Sequence, residues 1–301
     1  MVRTVVAGLD GSAESRAAAE WAAREARLRG VPLRIVHVRE PVPDPMAQAP
    51  LLGTETRQDW SERVPREAAQ GIRARHPGLE VGIEHLTGGA AEVLTKVAED
   101  AELLVLGSRG LSGIAGFMIG SVGLWTAAHA QRPVVLVRAG EQAADAHEKD
   151  PVGIPSAATP FLPVVLGLDA LRPDDSLLAF AFEEAARRST ALRAVYGWNL
   201  PPYYVYGLSA DAGLHDEITR QQAALLSEAL RPWRRKYPNV EVTEEARSGS
   251  PGIRLVDAAR NASLVVVGRR VRRNPFGAHI GHVGHAVLHH APVPVAVVPH
   301  D

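Results

Sequence analysis

The chain has 301 residues, of which 46% are hydrophobic and 22% charged, and its formal net charge is −1. This length fits two domains of about 150 residues each, and the balanced charge gives no reason to expect a nucleic acid or an anionic membrane as partner. The sequence contains no cysteine, which excludes disulfides, thiolate metal sites and cysteine nucleophiles.

Apolar runs in the sequence are short. The run at residues 5–9 is too short for a signal peptide or a membrane span. No other run approaches the length of about 18 apolar residues that a spanning helix needs. We therefore expect a protein that is cytoplasmic and has no membrane partner.

The first half of the chain alternates strand-like and helix-like segments. Buried-strand or alternating patterns predict strands at residues 3–9, 33–38, 79–86, 102–106 and 134–137. Helical spacing predicts helices at residues 14–29, 55–76, 90–100 and 121–130, the second of them interrupted at Pro65. Loops are predicted at residues 39–53, which contain four prolines, and at the glycine-rich residues 107–120.

The second half of the chain repeats this order. A Val-Val-Ala-Gly-Leu-Asp segment that ends at Asp10 returns as Val-Val-Leu-Gly-Leu-Asp, which ends at Asp169. Strands are predicted near residues 163–168, 192–197, 240–247, 263–267 and 293–298. We infer a duplicated domain with copies at residues 1–139 and 162–301, joined by an aperiodic linker at 140–161.

Strands that alternate with helices predict an α/β fold. The connections are then right-handed crossovers, and each copy forms a parallel sheet covered by helices on both faces. Open parallel sheets bind ligands in the crevice beyond the carboxyl ends of their strands. The loop at 107–120 follows a strand and precedes a helix, which makes it the candidate binding loop.

The binding loop of the first copy has the spacing Gly107-x2-Gly110-x9-Gly120-Ser121. Gly107 and Gly110 let the backbone turn and approach a ligand without an intervening β-carbon. The helix that begins at Gly120-Ser121 points free N–H groups and the positive end of its dipole at the crevice, which favours a phosphate. The Ser121 hydroxyl can donate to the ligand or cap the helix.

Two charged residues complete this candidate site. Arg109 supplies a cation on the loop, and Asp10 ends the first strand across the same crevice, where it can accept from a ribose hydroxyl or an adenine amine. The alternative is that the glycines only form turns and that Ser121 only caps a helix. The combination of strand, loop, helix and terminal Asp favours the nucleotide site. The sequence has no Gly-x4-Gly-Lys-Ser/Thr motif, which excludes a P-loop ATPase.

With these motifs, both halves of the sequence resemble the universal stress protein family in its tandem form. The resemblance implies two Rossmann-like domains, each a five-stranded parallel sheet of order 3-2-1-4-5 between helices. It also implies binding of ATP, with Mg²⁺ as the expected accompanying ion. Asp10 and the backbone of Val38 would hold the adenosine, Gly107, Arg109 and Gly110 would line the phosphates, and Gly120, Ser121 and Val122 would close over them. Gly8, Leu9 and Leu106 would also line the site.

The resemblance further implies pairing through the last strands, here residues 134–137 with residues 295–298 of the same chain. A homodimer of whole chains and an unidentified protein partner are also consistent with the sequence. Neither the linker nor the loop at 199–214 contains a recognisable partner motif. The aromatic stretch at 201–206 could form either a lid over the second site or an exposed contact.

The second copy departs from the motif at two positions. Val271 stands in place of Gly110, and His282 in place of Ser121, while Gly197 matches Val38. A valine is costly if the backbone there needs a positive φ, and arginines at 269, 270, 272 and 273 add cations. We expect this copy to bind ATP weakly or to take another anionic ligand. The residues that would contact the ligand are the retained Asp169, Gly268 and Gly281, together with Arg270.

Histidines at 282, 285 and 289 share one helical face, with His279 and His290 nearby. Such a face could bind zinc or sense pH, but no neighbouring acid completes a ligand set. We interpret it as a polar surface and assign no metal ligand.

Three functions fit the sequence. The first is a regulator of the stress response in which ATP occupancy of the first copy alters conformation or partners. The second is a slow ATPase or phosphate-transferring enzyme, which would need a general base and a metal clamp. Glu14 is the nearest acid and is no convincing base, so we assign no catalytic residue. The third is an interaction scaffold with a vestigial site.

Overall fold

The computed structural model describes residues 3–40, 54–108, 120–199, 212–271 and 280–301. The chain divides into two compact units, Met1–Gln142 and Ala143–Asp301. Each unit is a parallel sheet with α-helices between its strands. The α/β fold predicted from the alternating patterns is therefore confirmed.

The first unit has the strand order β3-β2-β1-β4-β5. Its strands are β1 Val5–Gly8, β2 Leu33–Arg39, β3 Val81–Thr87, β4 Leu103–Ser108 and β5 Val134–Arg138. Its described helices are α1 Ala13–Arg29, α2 Thr54–Arg75, α3 Ala90–Glu99 and α4 Ser121–His129. The register pairs Val5 with both Leu33 and Leu103, so that β1 is central.

The second unit repeats this order as β8-β7-β6-β9-β10. Its strands are β6 Val164–Gly167, β7 Leu192–Trp198, β8 Val242–Ser248, β9 Leu264–Arg270 and β10 Val295–His300. Its described helices are α5 Asp175–Arg188, α6 Ala212–Lys236, α7 Pro251–Ala259 and α8 His282–His290, preceded by a short 3₁₀ helix, Ala143–Ala146. Both units thus have the predicted strand order.

The central strands are buried on both faces. Val5, Val6 and Ala7 of β1 are fully inaccessible, as are Leu103 and Leu104 of β4. Helices cover both faces of a parallel sheet, so its strands need continuous apolar runs rather than an alternating pattern. This is why such runs identified β1, β4, β6 and β9 in the sequence.

Pro65 does not interrupt its helix, contrary to the prediction. Helix α2 continues from Thr54 to Arg75 with Pro65 inside it. A proline removes one backbone donor and usually kinks or breaks a helix. Val64, Ala69 and Ile72 are nevertheless buried on this helix, and their packing offsets the lost hydrogen bond.

Most of the predicted linker lies within the second unit. Isolated antiparallel bridges join His147 to Phe161 and Lys149 to Pro155, and the imidazole of His147 lies 4.0 Å from the Phe161 ring. The Thr190 hydroxyl donates to the Phe161 carbonyl at 2.8 Å. These contacts attach residues 147–161 to the strand-forming part of the unit.

Among the residues that the structure describes, no helix combines the length and the apolar character that are needed to cross a membrane.

Strand β4 and helix α1 approach each other too closely for a side chain between them. A Cβ atom at Gly107 would lie 2.6 Å from the carbonyl carbon of Glu14 and 2.7 Å from the amide nitrogen of Ser15. We expect Gly107→Ala to lower the free energy of unfolding by about 1–3 kcal/mol, the usual cost of overpacking. Urea denaturation of the variant measures this loss.

Gly82→Ala is the matched control, because a Cβ atom at Gly82 on strand β3 would meet no atom within 4 Å. This substitution should leave the urea midpoint unchanged or raise it slightly. Equal midpoints for the two variants would contradict the steric assignment at Gly107.

Candidate nucleotide site

A crevice of about 190 Å³ lies at the carboxyl ends of strands β1, β2 and β4 in the first unit. Nine of the residues predicted for the site line it together: Gly8, Leu9, Asp10, Val38, Leu106, Gly107, Gly120, Ser121 and Val122. The two remaining predicted residues, Arg109 and Gly110, lie outside the described residues. The structure therefore brings segments that are more than 100 residues apart in the chain to one place.

Asp10 is fixed at the mouth of the crevice by the start of helix α1. The backbone N–H and the hydroxyl of Ser12 both donate to its Oδ1, at 2.9 and 2.6 Å. The Asp10 N–H donates to the hydroxyl oxygen of Ser15 at 3.3 Å. These bonds hold one carboxylate oxygen, and the side chain as a whole stays exposed.

These hydrogen bonds determine the charge state of Asp10. Partial burial alone would raise the pKa of this carboxyl, but hydrogen bonds from Ser12 and Ser15 outweigh that effect and hold the pKa below its usual value. Asp10 is therefore a full anion at neutral pH and can only accept hydrogen bonds. This property suits a partner that carries hydroxyl or amine donors.

Ser12 also caps helix α1. Its hydroxyl oxygen accepts from the N–H of Ser15 at 3.2 Å, and Gly11 turns the chain with φ +85°. A serine at this position satisfies one of the donors that a helix leaves unpaired at its start. One side chain thus both starts the helix and orients Asp10.

Gly107 has a packing role beside the predicted contact with a ligand, which stays a prediction. Its missing side chain makes room for the first turn of α1, at Glu14 and Ser15. Gly8 is similar, because a Cβ atom there would lie 2.6 Å from Cδ2 of Leu106. Both glycines still line the crevice, but their small size serves the packing of its walls.

Helix α4 points its N-terminus at the crevice. Gly120 is the N-cap residue, with extended backbone angles and no side-chain cap, and the first helical bond of the helix runs from the Leu124 N–H to the Gly120 carbonyl at 3.1 Å. The N–H groups of Ser121, Val122 and Gly123 therefore have no intrahelical acceptor and face the lined space. A phosphate is the kind of group that such a terminus favours.

The predicted capping role of Ser121 is wrong. Ser121 is the first helical residue, one position after the cap, and its side chain is exposed. The Ser121 side chain cannot act as the N-cap, because the backbone of Ser121 is already part of the helix. It is placed instead at the rim of the crevice.

The inner wall of the crevice is apolar. Val36 and Val38 alternate on β2 and so project to the same side of the sheet, where Leu94 of α3 and Leu106 of β4 also line the space. On the other side of β2, the buried His37 contacts the Leu9 carbonyl through Nδ1 at 2.7 Å. A flat, weakly polar group fits such a wall.

Sequence reasoning placed Ser12 and Glu14 near the crevice but missed five other lining residues: Ser15, Val36, Ala90, Leu94 and Gly123. The signal for Ser15 was present, because the Asp-Gly-Ser-x-x-Ser order that ends at Ser15 is a helix start with a capping serine. Leu94 and Ala90 carry no such signal. Their place depends on how α3 packs against β2, which only the fold determines.

The second unit has a larger pocket at the equivalent position, about 600 Å³ in volume. Asp169, Gly268, Arg270 and Gly281 all line it, as the retained motif predicted. Asp169 accepts from the Leu171 N–H at 3.2 Å and lies 3.4 Å from Nε of Arg172. Both of its oxygens therefore already have partners within the protein.

Val271 does not have the strained backbone that the glycine comparison suggested. Ser189 is the one non-glycine residue with positive φ among those described, so the predicted steric cost at Val271 is wrong. The reason is that β9 and β10 extend beyond their predicted ends, and the Val271 N–H donates to the His300 carbonyl at 2.6 Å. Arg269, predicted on a loop, is buried in β9, and burial lowers its pKa.

The histidines of helix α8 lie close together but form no complete metal site. The rings of His285 and His289 are 4.4 Å apart between centroids. Within the described part of the chain, no three His, Cys, Asp or Glu side chains are positioned to hold one ion. His279 and the stretch at 201–206 lie outside the described residues.

Fold and crevices together define a tandem of two Rossmann-like domains with one pocket at the strand ends of each. The sequence profile of the Universal stress protein family matches residues 1–138 and 160–299. The chain belongs to the universal stress protein family and contains two of its domains.

Relatives match along the whole chain. A universal stress protein of Mycolicibacterium smegmatis is 32% identical over 303 residues, which cover 98% of this chain and 96% of the relative. A Mycobacterium bovis universal stress protein is 34% identical, with 97% and 96% covered. Among solved structures, a universal stress protein from Archaeoglobus fulgidus superimposes with a TM-score of 0.66 at 18% identity, with 98% of both chains covered. This last similarity supports the fold alone.

The geometry around Asp10 generates a pH prediction. Ser12→Ala removes the hydroxyl that donates to Asp10, so the pKa of Asp10 should rise toward its usual value. A group with a lowered folded pKa stabilises the fold above about pH 4, and this stability is lost as the pH falls through the folded pKa. Carboxyl ¹³C NMR titration of both proteins measures the shift.

Asp174 provides an internal control for this titration. It caps helix α5, and burial would raise its pKa, but hydrogen bonds from Ser176 and Leu177 and the nearby His300 lower it. Its titration should not change in Ser12→Ala. An unchanged Asp10 midpoint, or equal shifts in both residues, would contradict the role of Ser12.

Proposed function

We propose that the first unit binds ATP, and that its occupancy alters the conformation or the partners of a cytoplasmic stress-response regulator. The observation that carries this proposal is the convergence of an ionised Asp10, an apolar wall and the free N–H groups of α4 on one crevice. These three features suit the three parts of a nucleotide. The carboxylate can accept from the ribose, the apolar wall can contact the base, and the N–H groups can bind the phosphates.

The proposed pose follows from this arrangement. The adenine lies against Val36 and Val38, and the ribose donates a hydroxyl hydrogen bond to Asp10. The phosphates lie at the rim beside Ser121 and Val122, where the helix terminus favours negative charge. In this pose Arg109 and Gly110 also contact the phosphates, as the family motif implies. Mg²⁺ would enter with the phosphates.

The direct test is to denature purified protein and identify and count the released nucleotide by chromatography and mass spectrometry. We expect about one ATP per chain, because the second pocket has Val271 and His282 where the motif of the first has Gly110 and Ser121. Asp10→Ala should lose nucleotide almost entirely. Asp169→Ala, the same change at the equivalent position of the second unit, should retain it.

One outcome would decide against ATP binding by the first unit, and a second against the expected stoichiometry of one nucleotide per chain. Protein that is purified free of nucleotide and takes up no Mg-ATP on titration would leave only the scaffold interpretation. Retention of half the nucleotide in Asp10→Ala would show that both units bind it, and that the second pocket is not degenerate.

A slow ATPase at the same site is the alternative, and the place of Glu14 in the crevice lining is the observation that favours it. Hydrolysis requires a base or a positioned water beside the terminal phosphate. We expect phosphate release by the wild-type protein to be no faster than by Asp10→Ala. Turnover that Glu14→Gln abolishes while ATP binding persists would instead make this unit an enzyme.

Assembly belongs to the same proposal. The family resemblance favours pairing of the two copies through their last strands, with homodimers of the whole chain as a further level. Light scattering with and without Mg-ATP measures whether occupancy changes the oligomeric state.

A further inference from the structure

The peptide unit between Leu9 and Asp10 is held at both of its polar ends. Its carbonyl oxygen lies 2.7 Å from Nδ1 of His37, and because a carbonyl can only accept a hydrogen bond, Nδ1 is the donor. Its N–H group donates to the hydroxyl oxygen of Ser15 at 3.3 Å. A peptide unit is planar, so these two contacts fix the plane from which the Asp10 side chain extends.

His37 contacts this carbonyl from the interior of the unit. The residue is buried, and it lies on the opposite side of β2 from Val36 and Val38, which line the crevice. The Leu9 N–H continues the β1–β2 ladder by donating to the Val36 carbonyl at 2.9 Å. The end of β1 is therefore attached to β2 twice, by a backbone hydrogen bond and by the imidazole of His37.

Ser12 and Ser15 connect the same peptide unit to the carboxylate of Asp10. The Ser15 hydroxyl donates to the Ser12 carbonyl at 3.1 Å, and the Ser12 hydroxyl donates to Oδ1 of Asp10 at 2.6 Å. Together with the bond from the Asp10 N–H to Ser15, these hydrogen bonds form a closed circle that starts and ends at Asp10. His37 attaches this circle to the buried sheet.

The second unit has a different residue at the position of His37. The strand register matches His37 with Tyr196, and the Tyr196 hydroxyl donates to Oε1 of Gln222 on α6 at 3.0 Å. The side chain at this strand position is therefore directed to a helix and not to the carbonyl that precedes the aspartate.

Asp169 also has different neighbours from Asp10. Counted from the aspartate, the positions of the two serines hold Leu171 and Asp174. The Leu171 N–H donates to Oδ1 of Asp169 at 3.2 Å, and the exposed Arg172 lies 3.4 Å from Oδ2. A backbone donor is thus kept, whereas the hydroxyl donor is lost. The side-chain anchors belong to the first unit, where the retained motif predicts the nucleotide.

We propose that His37 is a positioning residue for Asp10, and that the orientation it imposes makes the first unit selective for nucleotides that carry ribose hydroxyls. This inference rests on the proposed function, since it assumes that a nucleotide occupies the crevice. An ionised carboxylate can only accept hydrogen bonds. If its direction is fixed, a ligand without hydroxyls loses the bond and leaves the anion unsatisfied, which is the more costly part of the loss.

The probes for this selectivity are Mg-ATP and its 2′,3′-dideoxy analogue, which lacks both ribose hydroxyls. Titration calorimetry of the nucleotide-free full chain gives the ratio of their dissociation constants. We expect the wild-type protein to favour ATP by about ten- to a hundredfold, the usual contribution of a hydrogen bond to a charged group. His37→Leu removes the donor to Leu9, so that the carboxylate can turn to water, and most of this preference should be lost.

His37→Asn separates the hydrogen bond from the packing of the ring. Nδ2 of asparagine and Nδ1 of histidine are both bonded to Cγ, so this variant keeps a donor at the same place and should keep the preference for ATP. Ser15→Ala removes the acceptor at the other end of the peptide unit and should reduce the preference as His37→Leu does.

His76→Leu is the matched control. His76 is a buried histidine of the same unit, its Nε2 lies 2.7 Å from Oε1 of Glu20, and it is outside the crevice lining. This variant should lose stability and keep the preference for ATP. An unchanged preference in His37→Leu, a loss in His37→Asn, or an equal loss in His76→Leu would each overturn the role of His37.

Titration of Asp10 distinguishes this inference from ATP binding itself. Against the effect of burial, hydrogen bonds from Ser12 and Ser15 hold the pKa of Asp10 low. In carboxyl ¹³C NMR of the nucleotide-free protein, His37→Leu should raise this pKa, because a mobile peptide unit weakens those bonds, and His37→Asn should leave it low. A raised pKa in a protein that binds no ATP would refute the proposed function and keep the positioning role. An unchanged pKa in a protein that binds ATP would refute the positioning role alone.

Discussion

The site of the first unit depends on one contact between two stretches of backbone. Strand β4 passes the first turn of α1 at a distance that leaves no space for a β-carbon at Gly107. This contact sets the position of Ser12 and Ser15, and through their hydrogen bonds it orients Asp10. It also brings the end of β4 next to the same carboxylate. The absence of a side chain at Gly107 therefore serves both the packing of β4 against α1 and the geometry of the binding site.

In the second unit, other side chains occupy the space beside the equivalent glycine, Gly268. There the imidazole of His300 lies beside Gly268, and the helix cap is an aspartate, Asp174, 3.8 Å from the His300 ring. In the extended β9–β10 ladder, the Val271 N–H donates to the His300 carbonyl. Two copies of one fold thus enclose chemically different spaces at the same edge of their sheets, which is consistent with different ligands for the two units.

The fold could be predicted from the sequence because strands that are buried on both faces of a parallel sheet have continuous apolar runs. Strand β1 and residues 103–106 of β4 are continuous apolar runs, and the repeated Asp10 and Asp169 segments fix the register of the duplication. The prediction was wrong where tertiary packing overrides a local rule. Pro65 breaks isolated helices but stays within α2, and glycine spacing could not reveal that β9 continues to Arg270.

The candidate site was predictable in its motif residues and not in its walls. Asp10, Gly107 and Gly120 are recognisable from the order of strand, loop and helix, and they meet in one crevice. Leu94 and Val36 belong to it only because α3 packs where it does.

The second unit has Gly197 and Pro251 where the first has Val38 and Ala90, so that the bulk at this wall lies on the helix rather than on the strand. Val38 with Ala90, and Gly197 with Pro251, are each compatible pairs. A valine opposite Pro251 would collide with its backbone, whereas a glycine opposite Ala90 would leave a gap in the wall. Every single-step route between the two arrangements passes through an overpacked or an underpacked intermediate. The two positions of each pair therefore have to change together if one pocket wall is to take the form of the other.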